Sequence, residues 1–183
     1  MKYLEDIGSY FLMLRRTFSG FTKGDVLREL IFKEIDDLVM SSLGIVSFIG
    51  FFVGGVITLQ TALNLTDPII PKELVAFATR QSIILEFAPT FISIIMAGKV
   101  GSFITSSIGS MRVTEQIDAL EVMGVNSLNY LVFPKIIALL TYPFLIAIAM
   151  FLGIFGGLIA GVYGGFVSLD EFIRGLQEDF IPF

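Results

Sequence analysis

The chain has 183 residues, of which 55% are hydrophobic, and it combines a mean hydropathy of +0.85 with a net charge of −5. This composition excludes an ordinary soluble domain and is typical of an integral membrane protein. Neither cysteine nor histidine occurs, which excludes disulfides, the usual zinc sites and acid–base chemistry by histidine. No cluster of lysine and arginine indicates nucleic-acid binding, and interleaved charges over residues 1–33 argue against a cleavable signal peptide.

The N-terminal segment is predicted to form an amphipathic helix at the membrane interface. Its large apolar residues recur at helical spacing, namely Tyr3, Leu4, Ile7, Tyr10, Phe11, Leu14 and Phe18. A soluble helix packed on a partner is the alternative. We expect Gly20–Gly24 to end this helix and Asp25 to cap a second amphipathic helix over Val26–Leu38. Residues 1–37 are therefore assigned to interfacial or cytoplasmic helices, and residues 38–183 to a transmembrane domain.

Three apolar runs predict transmembrane helices, since about 20 helical residues cross the roughly 30 Å of a bilayer core. Leu38–Thr66 and Ile136–Leu169 contain no charged residue, and the longer of the two is expected to tilt or to continue past the interface. Gln81–Gly98 is apolar except for Glu86. A buried helix in a soluble core is the alternative, and it would require a far larger protein around runs of this length.

The distribution of lysine and arginine predicts the orientation in the membrane. Nine of these residues lie on the side of the N-terminus, namely Lys2, Arg15, Arg16, Lys23, Arg28, Lys33, Lys99, Arg112 and Lys135. Three lie on the other side, namely Lys72, Arg80 and Arg174. The N-terminus and the loop between spans two and three are therefore expected in the cytoplasm. The turn-forming loop Asn64–Glu73 and the tail after Leu169 are expected outside.

Small residues recur every four positions in the third span, at Ala149, Gly153, Gly157, Gly161 and Gly165. The first span has a shorter version at Gly50 and Gly54. Such rows predict close backbone packing between helices. A lipid tail lying in the groove is the functional alternative.

Glu86 is an ionisable residue inside a span, which usually faces a bundle interior or a wet cavity. It precedes Lys99 by 13 residues, about 20 Å along a helix. If Lys99 marks the cytoplasmic interface, Glu86 lies in the outer half of the membrane. Pro89 lacks an N–H and leaves the carbonyl of Leu85 free, so we expect a kink beside Glu86. The alternative is a carboxylate at the interface that caps a helix starting later.

A short amphipathic helix is predicted between spans two and three, over Thr114–Gly124. Thr114 is the expected N-cap, Glu115 suits the positive helix start and Gly124 suits the C′ position. Two opposite arcs are predicted, an acidic one with Glu115, Asp118 and Glu121 and an apolar one with Ile117, Leu120 and Met123. The apolar arc is expected to rest on the membrane domain. The acidic arc would face a basic partner groove, or only solvent.

The run AGKVGSFITSSIGSMRVTEQIDALEVMGVNSLNYLVFPKIIA, Ala97–Ala138, closely resembles the signature of the MlaE/YrbE permeases. These are the membrane subunits of Mce-type phospholipid ABC transporters. The resemblance implies an all-α integral membrane fold in the bacterial inner membrane and a homodimer of permeases that maintains outer-membrane lipid asymmetry. It also implies two cytoplasmic ATPase subunits, which bind the ATP and Mg, and a periplasmic ring of MCE-domain proteins. No cofactor is then expected in this chain.

The resemblance also assigns site residues. The family's coupling helix, which docks on the ATPase, matches Arg112, Thr114, Glu115, Gln116, Ile117, Asp118, Ala119, Leu120 and Glu121. Glu86 matches a carboxylate near the lipid cavity, Pro89 belongs to the same motif, and Gln60 matches the glutamine that closes the first span.

Three positions depart from the family pattern. Leu85 replaces an arginine before the carboxylate, Lys99 replaces an arginine after glycine, and Ser107 replaces a glutamate. Family members continue through two further spans, five in all, so the chain is expected to be shortened at its C-terminus.

Several functions are compatible with these residues. The chain lacks the pattern G-x-x-x-x-G-K-[ST], so ATP hydrolysis is assigned to a partner and the chain is expected to be a non-catalytic subunit. The alternative is a proton-coupled secondary transporter of a lipid or hydrophobic solute that uses Glu86. A membrane-embedded enzyme is disfavoured because no acid–base pair converges, and a passive anchor would not need a buried carboxylate.

Overall fold

The computed structural model describes residues 2–19, 24–65, 67 and 69–178, without the side chains of residues 2–4. All regular structure in these ranges is helical. The α-helices are α1 Lys2–Thr17, α2 Gly24–Leu38, α3 Leu43–Asn64, α4 Glu73–Gln81, α5 Ala88–Val113, α6 Gln116–Val122, α7 Ser127–Leu139, α8 Tyr142–Tyr163 and α9 Leu169–Gln177. A 3-10 turn, Met40–Ser42, precedes α3, and a π turn, Ser82–Phe87, joins α4 to α5.

Three helical stretches are long and apolar enough to cross a membrane, which confirms the predicted fold class. They are Gly24–Asn64, Glu73–Val113 and Ser127–Tyr163. The second begins eight residues before the predicted Gln81, because the amphipathic α4 runs directly into it. The third ends before the predicted Leu169, because Gly165 adopts a φ of 74° in a turn after α8.

The contacts divide the chain into two compact units. The first unit comprises Met1–Ser41 and Gly98–Tyr142, and it includes α1, α2, α6 and α7. The second unit comprises Ser42–Ala97 and Pro143–Phe183, and it includes α3, α4, the π turn and α9 with nearly all of α8.

In the first unit, the C-terminal end of α1 is bound by side chains from the start of α7. Asn126 Nδ2 donates to the carbonyl of Arg16 over 2.8 Å, and the buried Asn129 Nδ2 donates to that of Thr17 over 2.7 Å. These bonds satisfy carbonyls that a helix end leaves without intrahelical partners. The predicted N-terminal helix is confirmed, and the apolar side chains of Ile7 and Phe11 are exposed on it.

The break predicted at Gly20–Gly24 falls largely outside the described residues, which resume at Gly24. The second amphipathic helix is confirmed as α2, but it begins at Gly24 rather than at Val26. Asp25 therefore lies in the first helical turn and is not the N-cap. An acidic residue there still favours the helix, because the helix start carries partial positive charge.

A buried ion pair joins α2 to α7 in the first unit. Lys135 Nζ donates to the Glu34 carboxylate and lies 5.5 Å from the centre of the Phe103 ring, while only 4% of Lys135 is exposed. Lys135, counted among the cations on the side of the N-terminus, therefore lies buried within α7 and not in a loop. Arg80, assigned to the opposite loop, is also buried, within α4. When these two buried residues are left out of the lysine and arginine count, each side of the membrane loses one cation. The excess of cations on the side of the N-terminus is therefore unchanged.

In the second unit, α3 and α8 pack backbone to backbone through glycine. A Cβ atom on Gly54 would lie 1.8 Å from the carbonyl oxygen of Gly153, and one on Gly156 would lie 2.1 Å from that of Phe51. The helix-packing interpretation of the glycine row is therefore confirmed, because α3 fills the groove. Gly165 does not belong to the row, since it lies in the turn after α8.

The second unit also contains two short helices that were not predicted: α4 lies where a loop was expected before the second span, and α9 lies in the expected external tail. Phe172 of α9 is fully buried, and a Cβ atom on Gly175 would lie 2.0 Å from the carbonyl oxygen of Glu73. Arg80 Nη1 donates to the carbonyl of Leu176 over 2.5 Å. Ser168 begins α9 with a capping box that pairs it with Glu171.

Candidate functional site

The short helix α6 forms between α5 and α7, but its start differs from the prediction. Thr114 Oγ1 donates to the carbonyl of Ser110 over 2.8 Å, so Thr114 bonds back to α5, directly after its last residue, and does not cap α6. Glu115 occupies the N-cap with a φ of 57°. A non-glycine residue in the left-handed region of backbone conformation is uncommon and marks a candidate functional position.

The predicted end of α6 is confirmed at Gly124, which has a φ of 73°. The N–H of Gly124 donates to the carbonyl of Glu121 over 2.9 Å, and that of Val125 donates to Leu120 over 3.0 Å. This pair of bonds is a Schellman motif, in which glycine adopts the left-handed conformation at low cost.

The two predicted arcs of α6 are only partly separated. Ile117 and Leu120 are half-buried, and none of the seven described residues of α6 is buried. Met123, expected on the apolar arc, is 67% exposed, and Val122 is 89% exposed. The reason is that the helix ends at Val122, so Met123 enters the turn instead of continuing the buried side. Apolar and acidic side chains are thus exposed together.

Two of the α6 carboxylates have partners within the same loop. The Asp118 carboxylate accepts from Arg112 Nη1 over 2.7 Å, in an exposed ion pair, and Glu121 Oε1 accepts from Ser127 Oγ over 2.9 Å. Beside the helix lies an open cavity of about 270 Å³, lined by Met111, Gln116, Ala119, Leu120, Met123 and Tyr130. The loop is therefore ordered by its own contacts and retains an apolar recess beside α6.

Glu86 lies in the π turn, and both Glu86 and Leu85 are exposed. The helix continues through Glu86 from Glu73 to Val113, so the alternative of a cap on a later helix is wrong. Pro89 is the second residue of α5, and the N–H of Ala88 donates to the carbonyl of Ile83, five residues earlier. The local disturbance expected at Pro89 thus takes the form of a π turn.

Gln60 is exposed in the last turn of α3. Among the described residues, no hydrogen bond connects Gln60 or Pro89 with Glu86. Lys99, at the position of the family's arginine, donates from Nζ to Ser41 Oγ over 2.9 Å. A lipid cavity around Glu86 remains a prediction.

Sequence reasoning missed Ile83, which is buried beside Glu86 and packs against Gly153. Ile83 is in helical register with the buried Ala76 and Thr79 of α4 but out of register with the buried Ala88 and Ile92 of α5. Spacing within the predicted span Gln81–Gly98 alone therefore did not identify it.

The family match and two individual relatives of this chain are all described as permeases. The family described as "Permease MlaE" matches residues 31–183. A probable ABC transporter permease protein of Rickettsia conorii is 32% identical over 164 residues, which cover 89% of this chain and 63% of that protein. The intermembrane phospholipid transport system permease protein MlaE of Haemophilus influenzae is 33% identical over 150 residues, covering 81% of this chain and 57% of that protein.

A chloroplast protein of Arabidopsis thaliana, TRIGALACTOSYLDIACYLGLYCEROL 1, is 33% identical over 129 residues, covering 67% of this chain and 35% of that protein. The chain thus spans less than two thirds of the length of each of these relatives. The family match extends over most of the chain, from the middle of α2 onward, and includes both α6 and Glu86. The chain belongs to the MlaE permease family.

Proposed function

We propose that this chain is the permease subunit of an ATP-driven phospholipid transporter in a bacterial inner membrane, with its N-terminus in the cytoplasm. The observation that carries the proposal is the family match over residues 31–183. A relative named as a phospholipid transport permease supports the substrate. The charge bias, which is the same after Lys135 and Arg80 are removed from the count, supports the orientation.

The partners follow from the same proposal. Two copies of the permease form a homodimer, two ATPase subunits bind ATP and Mg on the cytoplasmic side, and an MCE-domain ring receives or delivers lipid on the periplasmic side. In a Gram-negative cell this system maintains the lipid asymmetry of the outer membrane. The chain supplies binding and motion, while the ATPase supplies the hydrolysis.

In this mechanism, α6 docks on the ATPase and transmits its closure to the membrane helices. The exposed side of α6 supports this role, because Val122 and Met123 provide apolar contact while the exposed Glu115 and Glu121 provide negative charge. A partner groove with a basic rim and an apolar floor would complement that surface.

Glu86 is proposed to line the lipid path, with Gln60 and Pro89 near the same path. An exposed carboxylate within a membrane-crossing helix is costly in lipid and is usually found facing a protein interior or water. A second permease copy, facing this side of the helix, would enclose Glu86 in a polar cavity.

The docking role can be tested with Val122→Asp, measuring ATPase co-purification and phospholipid transport by the complex. We expect ATPase binding to weaken by about tenfold or more, as for a charge placed in the centre of an interface. Ile69→Asp is the matched control, because Ile69 is 88% exposed and lies in the loop between α3 and α4. Ile117 and Leu120 are less suitable sites for this substitution, because both are half-buried and a charge there could disturb the loop itself.

Retention of both ATPase binding and transport by Val122→Asp would contradict the docking role. Transport that persists without ATP and follows a pH gradient would instead support the proton-coupled alternative that uses Glu86.

A further inference from the structure

The helix that carries Glu86 contains one more residue than a regular α-helix would have between its buried positions. Ala88, Ile92 and Met96 are buried at intervals of four, as expected on one face of an α-helix. Ile83, only 2% exposed, precedes Ala88 by five. Residues five apart lie about 140° apart around an α-helix, so Ile83 and Ala88 could not share a face in regular helical geometry.

The π turn resolves this mismatch. The bond from the Ala88 N–H to the Ile83 carbonyl spans five residues and stacks the two along the helix axis. Ile83, Ala88 and Ile92 accordingly line the same small apolar cavity, together with Gly50 and Ala149 of the neighbouring helices. Pro89 favours the arrangement, because it has no N–H to continue a regular ladder to Leu85.

Ile83 lies beside Gly153 of α8, in the space that a side chain at Gly153 would occupy. A Cβ atom built on Gly153 would lie 3.3 Å from Ile83 Cγ2 and 3.6 Å from Ile83 Cδ1. The absence of a side chain at Gly153 therefore allows the branched side chain of Ile83 to approach α8. The buried residues Ile83 and Ala88 are fixed on either side of the turn, and Glu86 lies between them on the exposed side.

We propose that Ile83, by packing on Gly153, is a positioning residue that fixes the π turn and thereby the direction of Glu86. The inference rests on the proposed function, since the direction of Glu86 matters to transport only if Glu86 lines the lipid path. It adds the contact that holds the carboxylate in place and identifies Cγ2 of Ile83 as the group responsible.

The test measures the accessibility of position 86 directly. The chain has no cysteine, so Glu86→Cys can be labelled with a polar maleimide in membranes that contain the whole transporter. Adding Ile83→Ala is expected to slow labelling several-fold, because a polar maleimide reacts with an accessible thiolate and the turn would no longer hold position 86 on the exposed side of the helix. Adding Ile83→Val should leave the rate unchanged, because valine keeps the Cγ2 methyl group.

Two further variants make the result decisive. Ile83→Leu keeps the side-chain volume but moves the branch away from Cβ, so it should slow labelling even if Ile83→Ala does not accumulate. Ile94→Leu is the matched control, because Ile94 is exposed on α5, and it should have no effect.

Equal labelling rates in the Ile83→Leu, Ile83→Val and unmodified backgrounds would overturn the proposal. Glu86→Gln separates this result from the proposed function. If Glu86→Gln transports lipid normally, the role of Glu86 in transport fails, whereas the labelling rates still decide whether Ile83 fixes its position.

Discussion

The two units of the chain hold their helices together by different chemistry. In the second unit, α3 and α8 meet backbone to backbone at Gly54 and Gly153. In the first unit, α2 and α7 meet through the buried ion pair of Glu34 and Lys135. Lipid tails are as apolar as leucine, so helices in a membrane associate through close packing and polar bonds rather than through the hydrophobic effect. The chain uses both solutions.

The difference determines which changes each unit can tolerate. A backbone contact has no room for an added atom, but it involves no charge that could be left without a partner. An ion pair has room for other side chains, but it fails when only one partner is removed, because the remaining charge stays buried. Three substitutions, taken from the largest expected effect to the smallest, test this comparison.

The largest effect is expected from Lys135→Met in the first unit. It leaves the Glu34 carboxylate half-buried without its cation, and breaking such a pair typically costs about 3–5 kcal/mol in the free energy of unfolding. Thermal unfolding of the purified protein in detergent measures this loss. Lys33→Met is the matched control, because Lys33 is exposed on α2.

The double variant Glu34→Gln/Lys135→Met should recover most of the stability, since it removes both charges. Equal stability of Lys135→Met and the unmodified protein would show that the ion pair does not hold the first unit together.

The second substitution, Gly54→Ala, tests the backbone contact of the second unit. The added Cβ atom would lie 1.8 Å from the carbonyl oxygen of Gly153, so α3 and α8 must separate, at a cost of about 3 kcal/mol. The same unfolding measurement applies. Gly55→Ala is the control on the same helix, because its nearest neighbour, Ala160 Cβ, would lie 3.4 Å away.

A Gly54→Ala protein as stable as Gly55→Ala would contradict the close approach of the two helices. It would also remove the basis for comparing the units, because α3 and α8 would then have space between them.

The smallest effect is expected from Ser168→Ala, which removes the side-chain cap of α9. Loss of a serine N-cap costs about 1 kcal/mol, and unfolding at pH 7 should show this decrease. Ser9→Ala is the control, since Ser9 is an exposed serine inside α1. This change tests the comparison of the two units, because α9 belongs to the second unit and is held by a polar cap as well as by close backbone contacts.

The same cap predicts a pH dependence. Hydrogen bonds from Ser168, aided by the charges of Lys72 and Arg174, hold the pKa of the Glu171 carboxyl below its usual value. A carboxyl whose pKa is lowered by folding stabilises the folded state above its ordinary pKa of about 4.3, and this contribution is lost as the pH falls through the lowered value. Glu171→Gln should therefore flatten the pH dependence of stability below about pH 5. If the pH dependence of stability is unchanged in Glu171→Gln, the lowered pKa of Glu171 does not contribute to the stability of the folded state.

Much of the fold could be predicted from the sequence. The three spans follow from uninterrupted apolar runs, because a membrane requires about 20 apolar helical residues for each crossing. The glycine row indicated close helix packing, and Gly124 indicated the end of α6. These features depend on local composition and on backbone conformations that few residues adopt, so a single sequence is sufficient to find them.

The candidate site could be predicted less completely. The start of α6 was misplaced because Thr114 can bond backward to Ser110 as readily as it can cap the helix that follows. Met123 was assigned to the apolar arc from its angular position, but it follows the last residue of α6 and lies in the turn before Gly124. The buried positions of Lys135 and Arg80 were missed because a cation in an apolar segment has the same sequence pattern whether it is paired or exposed.

By itself, the sequence determined the membrane class, the number of spans, the short helix between the second and third spans, and the family. Only the tertiary structure decided that Glu34 pairs with Lys135, that α9 packs on α4, and that a π turn carries Glu86. The physical reason is that hydropathy and glycine spacing act over one or two helical turns and can be recognised locally. Ion pairs, backbone contacts and helix register depend on residues that are distant in the chain and meet only when it folds.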